Sequence, residues 1–283
     1  MAQKKKLTKK EIIAKITKKK EFSDLPKKDV EAVLDYFVKE DFVGEDLVKK
    51  SRELLMKMYT VFMSQKLLNL KDKNLNWFLK KHVSTKERIG YYEEVYSRCL
   101  NGFKKVKVYD LGCGVNGFSY DEFENLGFDA NYVGIEAVGQ LVDLQNNWFK
   151  KEKKKAVFIQ ESLFELEKIK KIIKTPYGCT PKDFEKKSLQ GAREKKVVFL
   201  FKTLDSLEML KRNYSKELLK AIVPLVDRVV VSWATKSLIS KRGFFATKKW
   251  LKEFIEENFK VVDEFEAGIE KYLVFEIKKK KHS

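Results

Sequence analysis

The chain has 283 residues, 43% of them hydrophobic, enough for one full α/β domain and a smaller companion around a sizeable core. Its 60 basic and 41 acidic residues leave a formal net charge of +19, which points to a polyanion such as RNA or DNA, although lysines that only solubilise the surface would give the same excess. Three widely spaced cysteines (Cys99, Cys113, Cys179) and two histidines (His82, His282), with no Cys-x-x-Cys pair, exclude a disulfide framework and argue against a zinc or other metal site.

In chain order, the basic stretch from Met1 to Lys6 is not followed by an apolar signal core. Apolar runs such as Val197–Phe201 are strand-sized and too short to span a bilayer. The expectation is a soluble, cytoplasmic monomer. Residues 1–80 read as a basic helical domain and residues 81–283 as a catalytic one. Ile12, Ile13 and Ile16 form a short apolar face, and Ser23-Asp24-Leu25-Pro26 announces a new helix, with Ser23 or Asp24 as cap and Pro26 near its first turn. Val30, Val33, Leu34 and Phe37 continue at helical spacing, and another helix runs through Leu54, Leu55, Met58, Tyr59 and Phe62.

Ser84-Thr85-Lys86-Glu87 has the form of a capping box, opening a helix that turns Ile89, Tyr92, Val95, Tyr96 and Cys99 inward. Strand-like segments then follow at Val106–Asp110, Tyr132–Glu136, Ala156–Gln160, Val197–Phe201, Arg228–Ser232, Lys260–Phe265 and Lys271–Ile277. Helical stretches, among them Val138–Lys150 and Leu163–Lys174, separate the first five. This is the alternation of a Rossmann-like, doubly wound parallel sheet. No helix divides the last two strands, so an antiparallel finish is expected, as in the seven-stranded class I fold of methyltransferases that use S-adenosylmethionine (SAM). Thr175 to Arg193, with two prolines and two glycines, interrupts the rhythm as a surface insertion.

Gly112, Gly114 and Gly117 satisfy G-x-G-x-x-G between a strand and a helix, a pattern shared by dinucleotide and SAM enzymes. Asp110 and Glu136, together with the antiparallel finish, decide between them in favour of SAM. A carboxylate at the strand end suits the cationic methionine portion of SAM, Cys113 included in the loop, and would repel a pyrophosphate. Glu136, ending the next strand, is placed to accept hydrogen bonds from ribose hydroxyls. Gln160 and Glu161 follow the third strand, where a polar side chain commonly meets the adenine amino group; Glu161 is the candidate, and capping of the next helix is its alternative role.

The end of the fourth strand, Phe199-Leu200-Phe201-Lys202-Thr203-Leu204-Asp205, lacks the Asn/Asp-Pro-Pro-aromatic motif of exocyclic-amine methylases. No cysteine lies on strand four or five to serve pyrimidine carbon-5 chemistry. An acceptor with a free lone pair remains, such as guanine N7, for which catalysis is positioning and desolvation without a general base. Lys202 and Trp233 are the base-positioning candidates; Lys202 could instead pair with Glu208, and Trp233 could fill the core behind strand five.

Several segments together resemble the aminoglycoside-resistance family of 16S rRNA (guanine-N7) methyltransferases, of the guanine-1405 type. His82-Val83-Ser84-Thr85-Lys86-Glu87-Arg88 is similar to its His-x-Ser-Thr-x-Glu-Arg, Asp110 to Asn116 to its cofactor loop, Phe201-Lys202-x-Leu204 to its strand-four motif, and Ser232-x-x-Thr235-Lys236-Ser237-Leu238 to its strand-five motif. The closing Tyr272-Leu273-Val274 fits less distinctively. The resemblance implies that Arg88 reaches the SAM carboxylate, that Phe201 belongs to the cofactor site, and that the N-terminal helices dock on folded rRNA of the small ribosomal subunit. Lys4, Lys5, Lys6, Lys18, Lys19, Lys20 and Lys236 then become candidate phosphate contacts. The family's proline after the loop asparagine is Gly117 here, its Ser-Phe-Pro is Ser232-Trp233-Ala234, and its Met-Glu-x-x-Tyr element is not recognisable in residues 244–250. The cofactor side is better kept than the base side. A methyltransferase of another RNA, such as tRNA, and a non-catalytic ribosome-binding module are the alternatives.

Overall fold

The computed structural model describes residues 7–59, 74–175, 194–235 and 244–278. Three helices open the chain: α1 (Lys9–Thr17), α2 (Lys27–Lys39) and α3 (Gly44–Tyr59). Ile12 and Ile16 of α1, Val30, Val33 and Leu34 of α2, and Leu55 of α3 are buried, which is the inward stripe that their spacing predicts. The predicted cap of α2 does not form. Pro26 is its N-cap, without a side-chain hydrogen bond, while Ser23 Oγ donates backward to the Lys20 carbonyl at 2.9 Å.

Three further helices lead into the sheet: α4 (Leu75–Lys81), α5 (Val83–Arg88) and α6 (Tyr92–Cys99). The Ser84 capping box is also corrected: His82, at φ −104° and ψ 130°, is the N-cap of α5, which puts Ser84 inside the helix. Glu87 is drawn to Lys202 instead. A capping box forms at α1, where the Thr8 side chain accepts from Glu11 N at 3.3 Å and the Glu11 carboxylate accepts from Thr8 N at 2.7 Å. The helix expected through residues 85–99 is divided by a 3₁₀ turn at Ile89–Tyr91, yet Tyr92, Val95, Tyr96 and Cys99 are buried as predicted.

The sheet is built from β1 (Lys105–Leu111), β2 (Asp129–Glu136), β3 (Ala156–Gln160), β4 (Lys195–Phe201), β5 (Arg228–Ala234), β6 (Phe259–Ala267) and β7 (Glu270–Ile277). Its order is β3-β2-β1-β4-β5-β7-β6, with β1 to β5 parallel and β7 antiparallel to both β5 and β6. The connecting helices are α7 (Asp121–Asn125), α8 (Gly139–Lys151), α9 (Leu166–Lys174), α10 (Leu204–Leu210), α11 (Tyr214–Ile222) and α12 (Phe244–Asn258).

Two cores cover the two faces of the sheet. One contains Val108, Phe199, Val230 and Tyr272 together with Ile12, Val30, Leu55 and Phe78, so apolar residues of the N-terminal helices join the same cluster. The other packs Leu111, Leu200, Val231 and Trp233 against Leu218, Leu251 and Ile255 of the helices behind. Alternation along each strand makes this division. It also decides which side chains reach the switch between β1 and β4, where open α/β sheets place their ligand crevice.

Candidate cofactor site

A cleft of about 260 Å³ opens at the carboxyl ends of β1, β2 and β4. Its floor is the turn after β1, where Gly112 (φ +73°) and Gly114 (φ +51°) adopt left-handed backbone. Gly112 N donates to the Ile135 carbonyl at 2.8 Å, holding the turn against β2. A Cβ at Gly112 would lie 2.9 Å from Thr203 Cγ2, so both the conformation and the space require glycine. The predicted loop is therefore in place. Cys113 contributes only backbone here: its buried side chain lies beside Gly134 and does not line the cleft.

Glu136 ends β2 at the cleft wall. Its Oε2 accepts from Gly114 N at 2.9 Å and its Oε1 from Val138 N at 3.1 Å. Burial raises its pKa, and amide donation from Val138, Gly114 and Ala137 opposes the rise. Both oxygens are thus aimed by backbone, with lone pairs left for a ligand hydroxyl.

Asp110 stands elsewhere than expected. It lies on the same strand face as Val106 and Val108, where its Oδ2 accepts from Asn116 Nδ2 at 2.7 Å and from the Tyr132 hydroxyl. Burial raises its pKa against those two bonds. It does not line the cleft, so its negative charge braces the loop from behind.

Arg88 is also turned inward. Its Nη2 donates to Glu270 Oε1 at 2.8 Å, its Nη1 to Asn116 Oδ1 at 2.9 Å and its Nε to the Tyr272 hydroxyl at 3.0 Å. The guanidinium lies 4.6 Å from the centre of the Phe201 ring. The carboxylate that meets Arg88 in the structure is Glu270, and Arg88 does not line the cleft. Glu270 went unnoticed in the sequence because a glutamate at the head of a strand has no local signature. Its pKa is lowered: burial would raise it, and Arg88 and Lys202 outweigh burial.

Phe201 and Lys202 line the cleft as predicted. Lys202, in left-handed backbone at φ +54°, pairs with Glu87 and approaches Glu270 Oε2 at 3.5 Å. Glu208, its other suggested partner, accepts instead from the backbone of Asn213 and Ser215. Trp233 belongs to the core behind β5, on the strand face opposite Ser232, whose hydroxyl meets Glu270. Its ring is buried and is not presented to a base.

Gln160 and Glu161 do not line the cleft. Gln160 Nε2 donates to the carbonyls of Asp24 and Ala137. Glu161 accepts from Ser162 N at 3.0 Å and pairs with Lys168, but it does not cap the following helix either, whose N-cap is Glu165 without a side-chain hydrogen bond. Lys18, Lys19 and Lys20 are exposed at the end of α1. Lys4, Lys5, Lys6, Lys236 and the insertion after Thr175 lie outside the described residues.

Among the cleft residues that the sequence did not single out as site residues are Asp29 on α2, Tyr59 on α3, His82 and Phe164. The first two come from the segment read as an RNA-docking domain, and nothing in their local pattern marks them as cofactor residues. His82 is held neutral, its pKa pushed down to about 3 by burial and by the charges of Arg88 and Lys202.

Sheet order, antiparallel finish and glycine turn together define the class I fold of SAM-dependent methyltransferases. No protein-family model matches the chain, and no curated protein matches its sequence. Among solved structures, the 16S rRNA methylase RmtB is similar at TM-score 0.70 and 17% identity, over 95% of this chain and 98% of that one. An rRNA methylase from Escherichia coli follows at 0.67 and 16%, over 95% and 99%. The 16S rRNA methyltransferase RmtF, in complex with S-adenosyl-L-homocysteine, is similar at 0.67 and 19%, over 96% and 100%. Among the described residues no helix is long and apolar enough to cross a membrane, and no cluster of His, Cys, Asp or Glu could hold a metal ion.

Proposed function

We propose that this protein is a SAM-dependent methyltransferase acting on 16S rRNA in the small ribosomal subunit, at N7 of a guanine of the 1405 type. The observation that carries the reading is the end-to-end likeness, N-terminal helices included, to rRNA methylases such as RmtB and RmtF. The cleft fits the cofactor. Its wall carries two buried acids, Glu136 and Asp29, which suit hydroxyl and amine donors and would repel a pyrophosphate. A glycine floor leaves room where a Cβ would collide.

SAM supplies a methyl group on a sulfonium centre, and guanine N7 offers a lone pair with no proton to remove first. The protein's work is then to bind, orient and exclude water. Gly112 and Gly114 hold the turn open, Glu136 orients hydroxyl donors, and Phe201 walls the acceptor side. Lys202 brings a positive charge to the mouth of the cleft, partly balanced by Glu87. The N-terminal helices and the lysines of residues 1–80 supply phosphate contacts, which fix position without reading sequence.

Methylation of another RNA is the second reading. One observation favours it: neither Trp233, buried in the core, nor Lys202, already ion-paired, is free to select a base. Incubation of 30S subunits, and separately of deproteinised tRNA, with labelled SAM separates the two. New 7-methylguanosine in 16S rRNA, located by reverse-transcription stops and mass spectrometry, is the expected result. Label on tRNA alone would replace the first reading with the second.

A further inference from the structure

Asp29 is 3% exposed, though it sits on a helix of the N-terminal unit. Its Oδ1 accepts from the Tyr59 hydroxyl at 2.6 Å. Its Oδ2 is buried without a hydrogen-bond partner, and the residue is one of those that line the cleft. Burial raises the pKa of this carboxyl; the Ser162 side chain opposes the rise but does not reach Oδ2 at hydrogen-bonding geometry. An orphaned buried carboxylate oxygen is costly unless a ligand donor meets it.

The start of α2 is pinned where it must be for that purpose. Gln160, at the end of β3, donates to the carbonyls of both Asp24 and Ala137, tying the segment before α2 to the strand ends. Gly139 allows the approach, since a Cβ there would fall 2.0 Å from Asp24 Oδ2. In sheet order the glycine turn after β1 comes first, then Glu136 after β2, and at the far end the segment after β3, whose Phe164 lines the cleft while Leu163 reaches back toward the turn, its Cδ1 3.6 Å from where a Cβ on Gly112 would lie. Glu161, the acid expected at that far end, is turned away onto Ser162 N and Lys168.

SAM carries three sets of strong donors: the methionine ammonium, the ribose hydroxyls and the adenine 6-amino group. Glu136, nearest the glycine turn, takes the hydroxyls. The apolar wall of Leu163 and Phe164 suits the faces of a purine, and Asp29 lies beside it. We propose that Asp29 accepts, through Oδ2, a hydrogen bond from the adenine 6-amino group of SAM and so makes the N-terminal helical unit part of the cofactor site. The assignment rests on the cofactor reading above. It gives α2 a second task besides any contact with RNA, because the helix that carries Asp29 closes the adenosyl end of the cleft.

Calorimetry on the full chain tests this with two ligands, S-adenosylhomocysteine and its analogue bearing hydrogen in place of the 6-amino group. The wild type should prefer the amino compound by about 10- to 100-fold, the range of a hydrogen bond to a charged acceptor. In Asp29→Ala that preference should fall below about threefold, through loss of affinity for the amino compound alone. Asp29→Asn, which keeps an acceptor oxygen, should retain part of it. Equal weakening of both ligands in Asp29→Ala would make the residue purely structural and overturn the proposal. So would a wild type that does not distinguish the ligands, a result that needs no variant to fold. A wild type that binds neither ligand overturns the cofactor reading together with the proposal.

Discussion

Arg88 and Glu270 each expose only 2% of their side chains, and the guanidinium also serves Asn116 and Tyr272. Taking one partner away leaves the other charge buried and uncompensated, at a cost of roughly 3–5 kcal/mol. Glu270→Ala and Arg88→Ala should therefore each lower unfolding free energy in guanidinium chloride by about that amount, and the double variant by clearly less than their sum. Additive losses would show that the two charges do not depend on each other. His82 gives a pH signature. Its folded pKa of about 3 lies below the unfolded value of about 6.5, so the unfolded chain binds a proton that the folded chain refuses between those limits. The residue thus favours folding least at low pH: stability falls as pH drops below about 6.5, by at most about 1.4 kcal/mol per unit. His82→Gln should flatten the profile through that window relative to wild type. Denaturation series at matched ionic strength check it, and parallel profiles would mean that His82 titrates normally.

At the scale of elements, the sheet was readable almost strand by strand, because half-buried and fully buried strands announce themselves by period and by runs such as Val197–Phe201. Predicted strands and observed strands differ by at most three residues at an end, as at β2, which begins at Asp129 where the apolar pattern suggests Tyr132. Helix starts fared worse. Ser84 and Glu87 have the right spacing for a cap, but Glu87 gains a half-buried cationic partner in Lys202, a contact that spans 115 positions and that no local motif encodes. Likewise Gly90 sits in the 3₁₀ turn that divides α5 from α6, where the apolar spacing alone continues unbroken. The turn after β1 is where one element depends on another. Gly112→Ala would need left-handed backbone and would push Thr203, whose hydroxyl donates to the Leu111 carbonyl at 3.1 Å. A stability loss of about 1–2 kcal/mol is expected from the backbone alone, with weaker binding of S-adenosylhomocysteine. Thermal unfolding with and without ligand measures both, and an unchanged variant would show that the turn tolerates a side chain.

For the whole molecule, the net charge of +19 dominates encounters with a polyanion, while the site charges are internal. Lys18, Lys19 and Lys20 are exposed, and Arg88 is not. Replacing the three lysines with glutamine should weaken binding to 30S subunits and reduce the slope of log K against log salt by up to about 0.7–0.9 for each phosphate no longer neutralised. Affinity for S-adenosylhomocysteine should stay the same. Filter binding over a salt series decides it; an unaltered slope would remove these lysines from the interface. Local chemistry in the chain was sufficient for the fold, the glycine turn and Glu136, because strand period, turn glycines and a strand-end acid act over a few residues. Tertiary structure alone decided that Asp110 and Arg88 lie behind the cleft, that Trp233 belongs to the core, and that Asp29 and Tyr59 line the cleft. Those placements depend on which strand face a side chain takes and on which distant helix closes over it, and burial of charge is settled only when the partners, far apart in sequence, meet.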